Sequence, residues 1–472
     1  MPRAAAPGRA IRAASPRWSC CARTGRWRSR TSPRSMTIAA QWRTGPGRSR
    51  ARSSRSASSR ASSSSSREPD PSPSDTSGVA ASTGAKAGKA RFRPVEGTDV
   101  TADDDFLIFR PDDVDLARSP LRRGISEPTH VLGAFNPGFA RLPNGNILLM
   151  VRVAEALRKP VDGSHARTIR WTPGGYVLDR HALAGVEMDD PRQFALKDRS
   201  PRLLGLTSLS WLLPVELSRD GAKIVKIHYD KAIQPSAGFL DYGVEDARIS
   251  LVGGRWWMTV CGVSAERHCT AMYHSVNGLD YKLLGVVLDH QNKDMILFEG
   301  KPGGRYMALT RPLGEVYFAY PEDSPWLGGP SINLAQSPDG LHWKPLDAPG
   351  IRARKGTSAT QRIGGGSQPV LTPQGWMLIY HGVEKRGAVG VYRSFWALLD
   401  KDDPARILRL EDETPLLEAN PALTDPIAHQ MYLPSPVVFT TGVADGGDHY
   451  VVASGEADLA CRITRISKER FK

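Results

Sequence analysis

Gly253-Gly254, followed by RWWMTVCGV at Arg255–Val263, is a glycine turn that leads into a strand of aromatic and β-branched residues. The same pattern occurs four more times, as NILLMVRV at Asn146–Val153, RYMALT at Arg305–Thr310, WMLIY at Trp376–Tyr380 and HYVVAS at His449–Ser454. From Arg255 onward these strands begin 50 to 73 residues apart. Four short antiparallel strands and their loops fill such a span, which is the size of one propeller blade. The sequence therefore predicts an all-β fold, a five-bladed β-propeller.

A second repeat supports many short hairpins. YHSVNGLDY at Tyr273–Tyr281 and AQSPDGLHW at Ala335–Trp343 share the pattern Ser-x-(Asn/Asp)-Gly-Leu-x-aromatic. Asn-Gly and Asp-Gly are typical of the primed turns in tight hairpins. A pair of β-sandwiches is the alternative fold, but strands recur there every 8–12 residues, a shorter period than the one seen.

The positive charge of the chain is confined to its first residues. The formal net charge is +14, and residues 1–67 hold sixteen Arg with no Lys, Asp or Glu. Subtracting those sixteen charges from +14 leaves −2 for residues 68–472. The basic composition therefore describes the tail and gives no indication of nucleic-acid or membrane-surface binding by the rest.

Residues 1–92 are predicted to be a disordered tail and linker rich in Arg, Ser, Ala and Pro, because they contain few residues that could be buried. Three interpretations of this tail stay open: an organelle transit peptide, a nucleic-acid-binding arm, or a start codon assigned too far upstream. The absence of an apolar segment after the first charges argues against a secretory signal. Residues 93–472 are predicted to form the five-bladed β-propeller.

Several protein classes are excluded by simple patterns. No apolar run reaches the 18 or so residues of a membrane helix, and five Cys in 472 residues do not form a disulfide framework. The motifs GxSxG, HExxH and GxGxxG before a helix are absent, and the His residues lack metal-ligand spacing. We expect a cytoplasmic protein without metal or organic cofactor.

The first chemical motif is Gly243-Val-Glu-Asp-Ala-Arg-Ile249, directly before an apolar strand. On a regular strand Glu245 and Asp246 would point to opposite sides, so one could bind substrate while the other donates a proton. The alternative interpretation is a solvated strand end with an ion pair to Arg248.

A second set of residues could bind an oxyanion. Lys293, Arg311, Arg362 and His381 stand at predicted strand ends or in glycine loops, and together they would bind a phosphate. The alternative is four unrelated surface groups. Elsewhere, Asn136 of a Phe-Asn-Pro-Gly segment and Arg152 could bind sugar hydroxyls, although Asn-Pro-Gly alone is also a common turn.

Taken in order, six motifs resemble those of glycoside hydrolase family 130, the β-mannoside phosphorylases and related mannosidases. The motifs are FNPG with LLMVRV, GVEDARI, KDMILFEGK with LTRP, RIGGGSQPV with GWMLIYHGV, YRSFWALLDKDDPARIL with PLLEAN, and PVVFTTGVADGGDHYVVASGEAD, within about residues 130–460. The family fold is a five-bladed β-propeller, which agrees with the blade count reached from the glycine turns.

The resemblance implies a role for each site residue. Asp246 would be the general acid, its proton passing through a sugar hydroxyl, and the mannosyl residue would contact Asn136, Arg152, Glu245 and Asp458. Phosphate would contact Lys293, Arg311, Arg362 and His381. An inverting phosphorylase needs one carboxylic acid and a cationic phosphate site, whereas inverting hydrolysis also needs a carboxylate base. The implied product is α-mannose 1-phosphate.

Three departures from the family pattern affect the choice of reaction. Ala247 replaces a Pro beside the acid, and Lys293 replaces an Arg that many phosphorylases have, losing the bidentate fork. Glu299 replaces a Pro near the expected phosphate pocket and is the candidate base of the alternative, an inverting β-mannosidase. A non-catalytic carbohydrate-binding propeller is a further alternative, although it would not need the intact Glu245-Asp246 pair.

The implied substrates are a β-linked manno-oligosaccharide or a mannosyl-glucose-type sugar, with inorganic phosphate as co-substrate. We expect no membrane partner, and nucleic acid only through the tail. The acceptor sugar, a β-1,4 or β-1,2 linkage and the oligomeric state, including a homo-oligomer, stay open.

Overall fold

The computed structural model describes residues 105–472, except 191, 199–202, 315, 348–349, 388 and 433–435, and it does not describe the side chains of residues 189 and 190. The predicted tail, residues 1–92, lies outside this range. Strands dominate the described residues, which confirms an all-β fold. None of the described helices is long and apolar enough to cross a membrane.

The strands of the first half are β1 Asp105–Phe109, β2 Thr129–Arg141, β3 Ile147–Leu157, β4 Val161–Asp162, β5 His165–Thr172, β6 Gly175–Ala182, β7 Val186–Asp190, β8 Gln193–Leu196, β9 Leu204–Leu206, β10 Ser208–Leu217, β11 Ile224–Ile227, β12 Gly243–Val252, β13 Arg255–Val263 and β14 His268–Ser275. Those of the second half are β15 Lys282–Leu288, β16 Asn292–Leu297, β17 Tyr306–Pro312, β18 Asn333–Ser337, β19 Lys344–Pro345, β20 Arg362–Gly365, β21 Val370–Thr372, β22 Gly375–Glu384, β23 Val391–Leu399, β24 Ile407–Glu411, β25 Val438–Asp445, β26 His449–Glu456 and β27 Ala460–Ser467.

Among the described residues, helical structure is limited to segments of three to six residues. The α-helix is α1, Pro421–Thr424. The 3₁₀ segments are Pro111–Asp113, Leu116–Arg118, Pro120–Arg123, Leu183–Gly185, Tyr229–Lys231, Gly238–Leu240, Pro302–Gly304, Asp425–Gln430 and Lys468–Phe471.

The strands form consecutive antiparallel units. Unit 1 is β2-β3-β10-β11, unit 2 is β12-β13-β14-β15 and unit 3 is β16-β17-β18-β19. Unit 4 is β20-β22-β23-β24, with β21 also paired to β22, and unit 5 is β25-β26-β27 completed by β1. A single parallel pair, Ser210 with Gly243, connects units 1 and 2 into one sheet. The five glycine-led runs predicted as strands are β3, β13, β17, β22 and β26, the second strand of each unit, so these predictions are confirmed.

The first strand of each unit packs beside its neighbours. Strand β2 contacts β12 and β25, β12 contacts β16, and β16 contacts β20. The ring of contacts closes where β25 of unit 5 contacts β22 and β23 of unit 4. Strand β1 completes unit 5. Its first residue, Asp105, is held by Arg462 on β27, which donates from Nε and Nη2 to both carboxylate oxygens, at 2.5 and 2.7 Å. The start of the described chain is therefore held against its end.

The repeated Ser-x-(Asn/Asp)-Gly-Leu segments join the third and fourth strands of units 2 and 3, as predicted for hairpins. In both, the Gly N–H donates to the Ser hydroxyl three residues earlier, Gly278 to Ser275 at 2.9 Å and Gly340 to Ser337 at 2.8 Å. Six residues separate the strands, so the connections are longer than the tight primed turns expected. The Ser side chain supplies the hydrogen bond that closes this longer loop.

The hydrophobic core lies between neighbouring units. Trp211, Phe139 and Phe109 are fully buried where unit 1 packs against unit 5, and Phe298, Tyr380 and Phe395 are fully buried between units 3 and 4. Because these apolar contacts lie on the faces of the sheets, the inner edges of the first strands remain available for polar side chains.

Candidate active site

A cavity of about 420 Å³ opens where the first strands meet. Eight of the predicted site residues line it: Asn136, Arg152, Glu245, Asp246, Lys293, Arg311, Arg362 and Asp458. They come from all five units, although more than 300 residues of sequence separate the first from the last. The fold therefore brings together residues that the sequence predicted separately.

Three of the first strands carry the same irregularity at the cavity. Asn136, Asp246 and Asp294 have left-handed backbone angles, with φ of +46°, +48° and +55°. At each of them the pairing register with the second strand shifts, as in a β-bulge. Asn and Asp tolerate this conformation better than other residues with a side chain because their short polar groups bond locally.

The bulge corrects one prediction about the acidic pair. On a regular strand Glu245 and Asp246 would face opposite sides, but both line the cavity. The register shift after Glu245 breaks the alternation of side chains, so the second carboxylate turns to the same side as the first. The predicted ion pair of this motif with Arg248 is also not the one observed, because Arg248 instead approaches Asp294 at 3.4 Å.

Arg152 holds the two carboxylates in place. Its Nη2 donates to Glu245 at 2.7 Å, and its Nη1 donates to Asp246 Oδ1 at 3.0 Å. Asn136 Nδ2 donates to the same Asp246 oxygen at 3.1 Å. Arg152 lies opposite Phe135, the neighbour of Asn136, in the β2-β3 ladder, so one hairpin of unit 1 orients the acidic pair of unit 2.

The charges around Asp246 determine its protonation state. Burial alone would raise its pKa, but Arg152, Lys293 and Arg248 and the hydrogen bond from Asn136 lower that pKa to about 2. Asp246 is therefore ionised at neutral pH in the ligand-free protein. A proton must reach it before it can act as a general acid.

This lowered pKa predicts a pH-dependent contribution of Asp246 to stability. A carboxylate whose pKa is lower in the folded state stabilises the fold above its unfolded pKa, and that contribution is lost as pH falls toward 2. The difference in unfolding free energy between wild type and Asp246→Asn should shrink by about 2 kcal/mol between pH 5 and pH 2. Denaturant titrations across this range measure it, and a constant difference would contradict the assigned environment.

Three basic side chains, which we call the cation cluster, line the cavity beside the acidic pair: Lys293, Arg311 and Arg362. Lys293 and Arg311 are cross-strand neighbours on β16 and β17, and Arg362 begins β20. Lys293 Nζ lies 3.4 Å from Glu245 Oε2. Burial would lower the pKa of Lys293, but the acidic groups of Cys261, Glu245 and Asp246 raise it above its ordinary value, so the amine stays charged.

A buried carboxylate lies beside the cation cluster. The Asp294 side chain is only 2% exposed, with Oδ2 3.1 Å from Arg311 Nη2 and Oδ1 3.4 Å from Arg248 Nη2. Arg248 also donates to the carbonyls of Gly366 in unit 4 and Thr440 in unit 5. Asp294 and Arg248 therefore connect four units beside the cation cluster, and Asp294 also lines the cavity.

Of the four residues predicted to bind phosphate, His381 does not line the cavity, but it contacts Arg311, which does. His381 is fully buried, and its Nε2 accepts a hydrogen bond from Arg311 Nη1 at 3.2 Å. Burial, together with the nearby Arg311, Arg248 and Arg362, keeps the pKa of His381 well below its ordinary value. The hydrogen bond from Arg311 to this neutral imidazole fixes the orientation of the guanidinium.

Glu299 is also outside the cavity. Its Oε1 accepts the N–H of Leu251 at 3.1 Å, five residues beyond Asp246 on β12, which is about 16 Å along a strand. Burial raises the pKa of Glu299. A base for water must be within about 3 Å of that water, so this position does not suit the hydrolytic role considered for Glu299.

Asp458 lies on the turn between β26 and β27 and faces the cavity with a left-handed φ of +52°. Burial raises its pKa, opposed by Arg152 and Arg192. Arg192 Nη1 lies 3.7 Å from Asp458 Oδ2. In the described part of the chain, no three His, Cys, Asp or Glu side chains are grouped so that they could hold a metal ion.

Comparison with known proteins places this site in a family. The family model for glycoside hydrolase family 130, described as β-1,4-mannooligosaccharide phosphorylase, matches residues 208–471. The chain belongs to glycoside hydrolase family 130. A β-1,2-mannobiose phosphorylase of Listeria innocua is 30% identical over 368 residues, which is 75% of this chain and 94% of that protein. A 1,2-β-oligomannan phosphorylase of a Thermoanaerobacter species is 29% identical over 54% of this chain and 78% of its own length.

A solved structure agrees with this family assignment. The β-1,2-mannobiose phosphorylase from Listeria innocua, in complex with β-1,2-mannobiose, superposes with a TM-score of 0.62 at 26% identity. The match covers 78% of this chain and 98% of that structure. This member of glycoside hydrolase family 130 therefore shares both sequence and overall fold with a mannoside phosphorylase.

Sequence reasoning missed three residues of the site: Arg192, Arg248 as a connecting residue, and Asp294. Asp294 could have been found, because Lys293-Asp294 repeats the charged residue followed by Asp seen in Glu245-Asp246. Arg192 carried no comparable signal. Its chain segment reaches the cavity only through tertiary contacts.

Proposed function

We propose that this protein is a β-mannoside phosphorylase that transfers a terminal mannosyl residue to inorganic phosphate with inversion, giving α-mannose 1-phosphate. The observation that carries the proposal is the cation cluster directly beside Asp246 in one cavity. The related phosphorylases of known function support it. Because those two act on β-1,2-linked mannosides by name, we propose β-1,2-mannobiose as the first substrate.

We further propose that units 1 to 5 are the blades of a five-bladed propeller around this cavity. The closed ring of contacts between the first strands supports this, as does the completion of unit 5 by β1. In this arrangement the ligands reach the site along the central axis, and residues 93–472 form one catalytic domain.

The proposed roles follow the placement of the side chains. Asp246 is the general acid. Asn136, Arg152, Glu245 and Asp458 bind the mannosyl residue, and Lys293, Arg311 and Arg362 bind phosphate. His381 and Asp294 contact Arg311 and orient its guanidinium.

Bound phosphate favours the protonated form of Asp246, which is the form that a general acid needs. Arg152, Lys293 and Arg248 keep Asp246 ionised, and a dianion bound at Lys293 offsets part of this positive charge, so the pKa of Asp246 rises when phosphate is present. Phosphate oxygen then attacks the anomeric carbon, the bond to the glycosidic oxygen breaks, and that oxygen receives the proton held by Asp246. No base is required, because the nucleophile is already an anion.

The hydrolytic alternative is tested by Glu299→Gln. The amide keeps the hydrogen bond from Leu251 but cannot act as a base. We expect the rate of mannose 1-phosphate formation to change by less than about twofold, because Glu299 lies outside the cavity. If the wild type releases free mannose without phosphate and Glu299→Gln loses that release, Glu299 would instead be the base of a mannosidase.

A further inference from the structure

A long insertion interrupts unit 1 at the edge of the cavity. Strands β3 and β10 pair directly, from Ala156 with Ser208 onward, yet residues 158–207 separate them. Two adjacent antiparallel strands need a connection of only two to five residues, and much longer connections in compact domains are usually functional. We call this segment the insertion, and its described strands form two small sheets, β4-β5-β6 and β7-β8-β9.

The second of these sheets reaches the cavity. Arg192 and Gln193, at the turn between β7 and β8, line the cavity together with Leu206 of β9. The carbonyl of Arg192 accepts the N–H of Thr207 at 3.1 Å, which fixes the backbone of the turn. The Arg192 side chain remains 33% exposed, so its guanidinium is both positioned and accessible to a ligand.

The geometry of an inverting displacement indicates that the part of the cavity lined by Arg192, Gln193 and Leu206 faces the leaving sugar. In an inverting displacement the attacking and departing oxygens lie on opposite sides of the anomeric carbon. The cation cluster belongs to units 3 and 4, and in the ring of contacts unit 1 lies across from them. If phosphate attacks from units 3 and 4, the departing sugar faces unit 1 and its insertion.

We propose that Arg192 binds hydroxyl groups of the leaving sugar and is a specificity-determining residue for the acceptor, an inference that rests on the proposed phosphorolysis. A guanidinium presents several N–H donors in a fixed fork, which suits two adjacent hydroxyls of a pyranose. Asp458 Oδ2, at 3.7 Å, holds this fork at the boundary with the mannosyl site. The insertion thereby forms the acceptor half of the cavity.

The test is a steady-state comparison of Arg192→Ala and Arg192→Lys with wild type in both directions of the reaction. Arg180→Ala is the matched control, because Arg180 lies in the same insertion, is 55% exposed and does not line the cavity. In the synthetic direction, Arg192→Ala should raise the KM for the acceptor mannose by about tenfold or more, the effect of losing a charged hydrogen bond. The KM for phosphate in the phosphorolytic direction should change by less than about twofold.

Each outcome has a separate meaning. Arg192→Lys should recover part of the acceptor affinity, because it keeps the charge without the fork. An unchanged acceptor KM in Arg192→Ala, or equal changes in all substrates, overturns the inference and leaves Arg192 as a structural partner of Asp458. A wild-type protein that forms no mannose 1-phosphate overturns the proposed function itself.

Discussion

Asp246→Asn should reduce phosphorolysis of β-mannobiose by about a thousandfold, the size of effect associated with loss of a general acid. The amide still accepts the hydrogen bonds of Arg152 and Asn136 but has no proton of suitable acidity to donate to the glycosidic oxygen. The fold should be retained, as measured by circular dichroism and thermal unfolding. Initial rates of mannose 1-phosphate formation measure the loss.

A change of leaving group separates the role as acid from a role in binding. An aryl β-mannoside with an acidic phenol as leaving group needs little protonation, so Asp246→Asn should lose far less activity on it than on mannobiose. Asp289→Asn is the matched control, because Asp289 is 78% exposed and does not line the cavity. Equal losses on both substrates would contradict the assignment of Asp246 as the acid.

Arg311→Ala should raise the KM for phosphate by about 100-fold, the second largest effect that we expect. Arg311 belongs to the cation cluster, and a charge-assisted bond within a buried site contributes strongly to anion binding. Its removal also leaves Asp294 with Arg248 as its remaining close guanidinium, so stability should fall as well. Phosphate saturation curves and thermal unfolding measure these two effects separately.

Two further variants define the effect of Arg311. Arg311→Lys keeps the charge near Asp294 and should give an intermediate KM, because it lacks the bidentate fork. Arg305→Ala, an exposed position just before the same strand, should behave as wild type. If Arg311→Ala binds phosphate normally, the cation cluster is not the phosphate site.

The strand pattern of the fold could be predicted because it depends on local chemistry. A glycine turn followed by aromatic and β-branched residues specifies a strand wherever it occurs, and all five such runs form second strands. The residues of the site could be named for a related reason, since polar groups at the ends of apolar strands stand out in the sequence. Seven of these residues line one cavity, and the eighth, Asp458, is named only from the family resemblance.

The directions of side chains could not be predicted in the same way. Glu245 and Asp246 share a side only because a bulge at Asp246 shifts the register against β13, and register depends on the partner strand. His381 lies behind the cavity lining, against Arg311, because it pairs opposite Gly364, where the missing side chain leaves room for the imidazole. Both facts are properties of strand pairs rather than of single segments.

Arg192 illustrates the limit set by tertiary structure. Its sequence neighbours carry no motif, and its ion pair joins unit 1 to a turn of unit 5 that lies more than 260 residues later. No local pattern indicates such a contact. The proposed acceptor side of the cavity therefore depends on contacts that only the folded protein shows.

Product analysis with the full-length protein tests the central proposal most directly. β-1,2- and β-1,4-linked mannobiose would each be incubated with and without inorganic phosphate, and mannose 1-phosphate and free mannose would be quantified. We predict one mannose 1-phosphate for each free mannose released, formed only when phosphate is present, because the cation cluster binds the nucleophile beside Asp246. Two free mannoses per disaccharide, released at the same rate without phosphate, would contradict phosphorolysis and identify a mannosidase.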